Sequence, residues 1–209
     1  MNTCFWKKIE RMIFLLKISK FNIFENRKYK EISDFSKITN ICGGKKIALV
    51  GNSPKILLKK MNIDSYDVVI RINLLPLNKH RHLVGERCDI LMLSTGPTNL
   101  INKNFIKVYL TNKHRHYTKY GKGEIVHYPL KWRDEICRMV GPRPSSGAMS
   151  IHFLIKLLGD PDITLFGFEH SSDTWHEMNF FKQKNNAHDY KAEREFFSSL
   201  LNDKIQYSK

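Results

Sequence analysis

Short runs of apolar residues, each about the length of one β-strand, recur along this chain with helical patterns between them. The runs lie at Lys46–Val50, Asp67–Arg71, Asp89–Leu93, Phe105–Leu110 and Ile163–Phe168. A strand that is apolar along its whole length has both faces covered, as in a parallel sheet flanked by helices. The pattern therefore predicts the α/β class, with a Rossmann-like, doubly wound and mostly parallel sheet.

The helical patterns between these strands are of uneven strength. The clearest follows Ser145 and Ser146, which can cap a helix. Its apolar stripe repeats at helical spacing through Ile151, Leu154, Ile155 and Leu158. Weaker patterns predict a helix-like segment that runs to about Met61, a helix at Trp132–Val140, and a closing helix from His188 to about Leu201.

A chain of 209 residues suffices for one domain with a sizeable core. We predict that residues 41–209 form this domain and that residues 1–40 form a basic amphipathic N-terminal segment. Apolar side chains from Phe5 to Leu16 recur at helical spacing among lysines and Arg11. Such a helix can lie on an anionic membrane through residues 1–24, or it can dock on the domain as an ordinary surface helix. Both interpretations stay open.

The formal net charge of +15 implies an anionic partner, but charge alone does not choose among nucleic acid, a membrane surface and an anionic substrate. The basic residues are dispersed and no nucleic-acid recognition motif appears, so no nucleic-acid partner is expected. The four cysteines are too scattered for a disulfide scaffold or a zinc knuckle. We therefore expect reduced thiols and a cytoplasmic protein, either free in the cytoplasm or peripheral on the inner face of the cytoplasmic membrane.

Polar and glycine-rich segments follow the predicted strands, where ligands of doubly wound sheets bind. Gly51, Asn52 and Ser53 leave the first strand, and Asn73 follows the second. Gly51 has no Cβ to block the close approach of a nucleotide, and Asn52 carries both a donor and an acceptor. Taken alone, a Gly-Asn pair after a strand is more often a simple turn.

A second polar segment, Ser145–Ser146–Gly147, opens a predicted helix. A helix N-terminus presents N–H groups and a positive dipole end, which suits a phosphate. Two histidines, His176 and His188, border a polar stretch near the same rim and are candidates for a general base and a phosphate partner. No third ligand at metal spacing and no D-x-D carboxylate pair accompanies them, so neither a metal nor a cofactor is expected.

The order of these segments resembles the sialyl motifs of glycosyltransferase family 29, the sialyltransferases. Residues 47–73 resemble the long motif, and residues 144–168 resemble the short motif. Trp175 and His176 fall where the family carries its third motif. His188 and Glu193, separated by four residues, fit the very short motif. Four blocks stand in the family's order, and residues 1–40 lie outside the match.

The resemblance implies a single α/β/α sandwich of a variant GT-A type, and it makes residues 41–209 the catalytic domain. It implies an inverting, metal-independent transfer of sialic acid from a CMP-sialic acid donor to a hydroxyl of an acceptor glycan or glycolipid. His188 would be the base and His176 would stabilise the departing phosphate. Glu193 would be structural or would support the site from behind the substrate contacts. The donor-binding residues would be Gly51, Asn52, Ser53, Asn73, Ser145, Ser146 and Gly147.

Two departures from the family pattern keep alternatives open. The short-motif segment has no cysteine for the disulfide that animal members form, which fits a bacterial-type version. Glu177 and Met178 follow His176 where aromatic residues are usual, which makes the third motif degenerate. The motifs also do not separate sialic acid from Kdo or another nonulosonate as the donor sugar. A basic nucleic-acid-binding protein and a catalytically inactive nucleotide-binding protein remain as alternatives from other classes.

Overall fold

The computed structural model describes residues 34–73, 77–94, 106–110, 125–168 and 188–208. One sheet of seven parallel strands, in the order β5-β4-β3-β2-β1-β6-β7, forms the centre of this part of the chain. The strands are β1 (Lys46–Val50), β2 (Val68–Ile72), β3 (Ile90–Leu93), β4 (Ile106–Tyr109), β5 (Ile125–His127), β6 (Asp162–Phe166) and β7 (Ile205–Tyr207). The helices are α1 (Ser36–Cys42), α2 (Leu77–Val84), α3 (Leu130–Val140), α4 (Ser146–Leu158) and α5 (Tyr190–Leu200).

Helices and turns cover both faces of this sheet, which explains why its strands are apolar along their length. In β1, Ile47 and Leu49 pack into the larger core, to which α1, α3, α4 and α5 contribute. The intervening Ala48 and Val50 pack into a smaller core on the opposite face, together with Ile56 and residues of α2. The predicted α/β/α sandwich with a parallel sheet is therefore confirmed.

The sheet order places the ends of β1, β2 and β6 side by side at the carboxyl edge. The register pairs Val50 of β1 with Arg71 of β2 on one side and with Phe166 of β6 on the other. Residues that follow these strands are therefore neighbours in space although they are far apart in sequence. This edge carries the candidate site.

The opposite, amino edge of the sheet is held by a set of polar residues that we call the amino-edge network: Asp67, Arg87 and Asp89. The Asp67 carboxylate accepts from the backbone N–H of Lys46 at 2.9 Å, and that of Asp89 accepts from the N–H of Val69 at 2.7 Å. The Arg87 guanidinium donates to Asp89 at 3.1 Å and to the backbone oxygens of Tyr66 and Asp67 at 2.6 and 2.5 Å. These bonds join the beginnings of β1, β2 and β3.

Two details of the predicted helices are wrong. The segment after β1 forms a 3₁₀ turn at Pro54–Leu57 instead of a helix to Met61, because the Met61 N–H bonds to the Leu83 carbonyl of α2 at 2.7 Å. The pattern of the closing helix predicts that Leu201 faces the core together with Phe197 and Leu200, but Leu201 follows the end of α5 in an extended conformation and is 39% exposed. Four elements that the pattern did not predict are α1, α2, β5 and β7.

The N-terminal segment, residues 1–24, lies outside the described residues, so its amphipathic helix stays a prediction. Helix α1 spans the predicted boundary between residues 40 and 41, and its Ile38 and Cys42 are buried in the larger core. Within the ranges that the structure describes, no helix has the length and apolarity that crossing a bilayer requires.

Candidate functional site

The centre of the carboxyl edge is a close backbone contact between the residues that leave β1 and β6. The Gly51 N–H donates to the Phe166 carbonyl at 2.7 Å, and the Ser53 N–H donates to the Gly167 carbonyl at 3.1 Å. A Cβ on Gly51 would lie 2.6 Å from the Gly167 oxygen, closer than any side chain allows. Gly167 itself has a φ of 65°, in the left-handed region that favours glycine. The backbone therefore requires both glycines.

The ring of Phe168 fills the space between Gly51 and Gly147, two of the residues predicted to bind the donor. A Cβ on Gly51 would lie 3.2 Å from this ring, and a Cβ on Gly147 would lie 3.0 Å from it. The ring also packs against Phe197 of α5, with 5.5 Å between centroids. Gly51 and Gly147 thus serve the packing of the fold, and their role in donor binding stays a prediction. Sequence reasoning missed Phe168, which aligns the β1 loop with α4.

Asn52 and Ser53, which follow Gly51, have different surroundings. The Asn52 side-chain oxygen is buried and has no hydrogen-bond partner within the described structure. A buried amide oxygen without a partner costs free energy, so a ligand donor at this position would be stabilising. Ser53 is 2% exposed, and its hydroxyl oxygen accepts from the Lys55 N–H at 3.4 Å to cap the 3₁₀ turn. Of these two side chains, Asn52 is therefore the one whose oxygen is available for a hydrogen bond from a ligand.

Asn73 joins three elements at the carboxyl edge. Its side-chain amide donates to the Ser146 hydroxyl at 3.3 Å, at the start of α4. Its side-chain oxygen accepts from the backbone N–H and the hydroxyl of Ser94, just after β3, at 2.9 and 3.1 Å. Its φ of 55° is in a region that asparagine tolerates better than most residues. Asn73 thus fixes the long-motif strand to the short-motif helix. Ser94 also follows a strand end, and the same positional argument would have found it.

The N-terminus of α4 lies at the same edge. Ser145 is extended, with φ −68° and ψ 161°, and its hydroxyl oxygen accepts from the Ala148 N–H at 3.1 Å, which confirms the predicted cap. Ser146 and Gly147 form the first turn and are partly exposed. The free N–H groups and the positive dipole end of a helix favour an anion at such a position.

His188 lies against the segment that enters α4, just before α5 begins. Its Nδ1 is 2.7 Å from the Arg143 carbonyl oxygen. A carbonyl only accepts, so Nδ1 carries the hydrogen and, in the neutral ring, Nε2 has the lone pair. The ring is partly exposed and contacts Tyr190 edge to face, at 6.0 Å between centroids. This arrangement leaves Nε2 as a base that can take a proton.

Glu193 contacts the same segment from the first turn of α5. Its Oε1 accepts from the Ser145 backbone N–H at 2.6 Å, and the residue is 1% exposed. Burial raises the pKa of this carboxyl, while the hydrogen bonds from Ser145 and the charge of His188 oppose that rise. His188 and Glu193 do not need to touch each other, because each contacts a different residue of 143–145.

His176 and the rest of 169–187 lie outside the described residues, so the position predicted for the phosphate partner stays a prediction. Within the part of the chain that the structure describes, no group of three His, Cys, Asp or Glu side chains lies close enough to hold a metal ion. A cavity of about 270 Å³ opens beside the Gly51–Gly167 contact, with Lys55, Gly167, Phe168 and Tyr207 in its lining.

Comparison with known families decides the identity of this fold and site. The model of glycosyltransferase family 29 (sialyltransferase) matches residues 23–134, just over half of the 209 residues. The chain belongs to this family. It is therefore a glycosyltransferase of the sialyltransferase group. The family match covers the long-motif block and ends before Ser145, so the short and very short motifs rest on the sequence pattern and on their position in the structure.

Solved structures of other sialyltransferases have the same fold. A crystal structure of a mammalian sialyltransferase is 16% identical to this family 29 chain, with a TM-score of 0.61 over 96% of this chain and 85% of that one. A mammalian sialyltransferase in complex with Gal-beta-1-3GalNAc-ortho-nitrophenol gives 17% identity and a TM-score of 0.60 over the same shares of the two chains. No curated protein matches this sequence.

Proposed function

We propose that this glycosyltransferase moves sialic acid from CMP-sialic acid to a hydroxyl of an acceptor glycan, with inversion and without a metal. The observation that carries the proposal is the hydrogen bond between His188 Nδ1 and the Arg143 carbonyl. In the neutral ring this bond leaves the lone pair of Nε2 for an acceptor proton, on a residue that contacts the segment leading into α4. The start of α4 supports the proposal because a helix N-terminus favours an anion such as the donor phosphate.

The chemical step balances with these groups. The acceptor oxygen attacks the anomeric carbon while its proton passes to Nε2 of His188. The bond from the anomeric carbon to the phosphate oxygen breaks on the opposite face, and CMP leaves with the electron pair. The amide groups and dipole at the start of α4 stabilise the developing negative charge, with Ser145, Ser146 and Gly147 closest to it. His176 would add a further hydrogen bond to the phosphate, as the motif order suggests.

The nucleotide would be held by the residues that follow β1 and β2. The unpaired oxygen of Asn52 accepts a hydrogen bond from the ribose or the base. The side-chain oxygen of Asn73 already accepts two hydrogen bonds from Ser94, so only the second hydrogen of its amide group is available to a ligand. Gly51 and Ser53 contribute through the conformation of the backbone, because Gly51 packs against Gly167 and Phe168 and the Ser53 hydroxyl caps the 3₁₀ turn.

Calorimetric titration with CMP, and with UDP, GDP and ATP as controls, tests the donor assignment. We expect selective CMP binding that is unchanged by a chelator. Equal binding of all four nucleotides would refute a CMP-sugar donor. Binding of a nonspecific DNA duplex with a steep salt dependence would instead support a basic nucleic-acid-binding protein.

Transfer assays test the reaction itself. CMP-sialic acid and CMP-Kdo are compared in competition on galactose-terminated glycans, and the anomeric configuration of the product is read by NMR. We expect transfer of sialic acid with inversion. Preferred transfer of Kdo would change the donor sugar but keep the mechanism, whereas CMP binding without turnover on any acceptor would indicate an inactive nucleotide-binding protein.

The place of action is a separate proposal. We propose a cytoplasmic enzyme that contacts an anionic membrane through residues 1–24 and uses a glycolipid acceptor. The basic amphipathic pattern of that segment supports the contact. In the described part of the chain, Cys42, Cys88 and Cys137 form no disulfide with one another, which suits a reducing compartment. Sedimentation with vesicles that contain anionic lipid tests it, and unchanged binding after deletion of residues 1–24 would refute it.

A further inference from the structure

Ser94 contacts Asn73 through two hydrogen bonds where β2 and β3 end side by side. The backbone N–H of Ser94 donates to Oδ1 of Asn73 at 2.9 Å, and the Ser94 hydroxyl donates to the same oxygen at 3.1 Å. The backbone N–H of Asn73 in turn donates to the Met92 carbonyl of β3 at 2.8 Å. Both the backbone and the side chain of Asn73 are therefore fixed to the end of β3.

These bonds decide which way the side-chain amide of Asn73 faces. A backbone N–H only donates, so the part of the amide that meets the Ser94 N–H must be the oxygen. The two donors of Ser94 use both lone pairs of that oxygen. The NH₂ group of Asn73 is then directed to the Ser146 hydroxyl, to which it donates at 3.3 Å.

The same direction of hydrogen bonding continues at Ser146. Because its hydroxyl oxygen accepts from Asn73, the hydroxyl hydrogen is left for another acceptor. Ser146 is the first residue of α4 and is partly exposed, at the end of the helix where an anion is favoured. A chain of hydrogen bonds thus runs in one direction from Ser94 through Asn73 to Ser146, and each residue donates to the next.

We propose that Ser94 is a positioning residue that keeps Asn73 and Ser146 as hydrogen-bond donors toward the bound nucleotide sugar. The inference rests on the proposed function, in which both of those side chains bind this substrate. An amide turned by half a rotation would place its oxygen toward Ser146, whose hydrogen would then go to Asn73 instead of to a ligand. An anionic substrate would also meet an acceptor in place of a donor, which weakens binding.

The dissociation constant of CMP, measured by calorimetry, tests this role with substitutions of Ser94. Ser94→Ala removes the hydroxyl bond and leaves the backbone bond, so we expect CMP affinity to fall about 3–10-fold. Ser94→Thr restores a hydroxyl and should stay within about twofold of the wild type. The control is Ser65→Ala, which removes an exposed hydroxyl that donates to the Asn62 carbonyl at 2.8 Å. Equal CMP affinity of Ser94→Ala and the wild type would overturn the proposal.

A double-mutant cycle with Asn73→Ala shows whether Ser94 acts through Asn73. Once the amide is absent, Ser94→Ala should change CMP affinity by less than about twofold. A further loss as large as the loss in the wild-type background would show that Ser94 acts by another route, and the proposal would fail. A wild type that binds no CMP would instead refute the proposed function.

Asn73→Asp decides the question if Ser94→Ala does not fold. Aspartate keeps an acceptor for both bonds from Ser94, but it places a second oxygen where the NH₂ group of Asn73 lies. We expect an unchanged urea midpoint of unfolding and a CMP affinity lowered about 10-fold, because two anionic groups then face each other. A lower midpoint with full CMP affinity would show that Ser94 does not set the direction of the amide.

Discussion

The two edges of the parallel sheet use their polar residues in opposite ways. At the amino edge, the side chains of Asp67, Arg87 and Asp89 make hydrogen bonds with the backbone at or just before the beginnings of strands. At the carboxyl edge, the buried Asn52 oxygen has no hydrogen-bond partner among the described residues, and the bond at His188 Nδ1 leaves Nε2 for the substrate that we propose. The carboxyl edge also contains structural bonds, such as those of Glu193 and Asn73, but only there do we assign side-chain atoms to substrate binding and chemistry.

The largest effect expected at the carboxyl edge follows from His188→Ala. Loss of a general base costs about 10²–10⁴-fold in kcat, because the acceptor proton then has no positioned acceptor. The free energy of unfolding should change by less than about 1 kcal/mol, since the ring is partly exposed and makes one backbone hydrogen bond. Steady-state kinetics and urea unfolding measure the two quantities. His82→Ala, at an exposed position of α2, serves as the control. Activity near that of the control would assign the base elsewhere.

At the amino edge, Arg87→Ala should produce the opposite pattern. It removes the guanidinium that donates to the Tyr66 and Asp67 carbonyls, and it leaves the Asp89 carboxylate with the Val69 N–H but without its arginine partner. We expect a loss of about 1–3 kcal/mol in the free energy of unfolding, with CMP affinity of the folded protein unchanged. Arg81→Ala removes an exposed ion pair with Glu86 and should cost less than about 1 kcal/mol. A large drop in CMP affinity for Arg87→Ala would break the division between the two edges.

A smaller effect is expected from Asn52→Ala. If the unpaired oxygen accepts a hydrogen bond from the nucleotide, CMP affinity should fall about 3–10-fold, equivalent to about 1 kcal/mol. Stability should not fall, because the substitution removes a buried polar atom that has no partner in the described ranges of the chain. Calorimetry and thermal unfolding measure both, with the exposed Asn62→Ala as the control. Lower stability with unchanged CMP affinity would place Asn52 with the structural residues.

The smallest effect concerns a histidine inside α4 that the proposed chemistry does not use. His152 is 4% exposed, with Nδ1 2.6 Å from the Tyr128 hydroxyl and Nε2 3.8 Å from Glu135, which Lys156 also contacts. Burial lowers its pKa below the ordinary 6.5, although the charge of Glu135 opposes the change. The unfolded chain therefore binds more protons just below pH 6.5, and stability falls as the pH decreases through this window.

Urea unfolding at pH 7.5 and pH 6 isolates this contribution when the wild type is compared with His152→Gln. We expect the wild type to lose less than about 1 kcal/mol more than the variant between these two values. Glu193 is present in both proteins, so its own titration cancels in the comparison. A wild type that loses no more stability than the variant would show that the folded protein does not lower the pKa of His152.

The sequence predicts the central strands well because their apolar runs report burial on both faces. It does not predict β5 and β7, which are three-residue edge strands with little pattern to read. Because Asn73 follows a strand, the sequence correctly predicts that it lies at the same edge as Ser146. The sequence does not predict which polar atoms make hydrogen bonds within the protein. The side chains of Ser53 and Asn73 already make such bonds, whereas the Asn52 oxygen makes none with the described residues. The role of Phe168 depends on contacts between distant segments, which no local pattern contains.

The pairing of β1 with β6 has a consequence for when this enzyme can acquire its site. The Gly51–Gly167 contact joins the residues after the first strand in the chain to those after the sixth. Helix α4 directly precedes β6, and α5 follows it. Contacts between such distant segments form slowly, because the loop that joins them must close first. During synthesis, the residues after β1 therefore cannot form their native contacts until β6 and α5 have emerged, and a nascent chain that ends before them has an incomplete carboxyl edge.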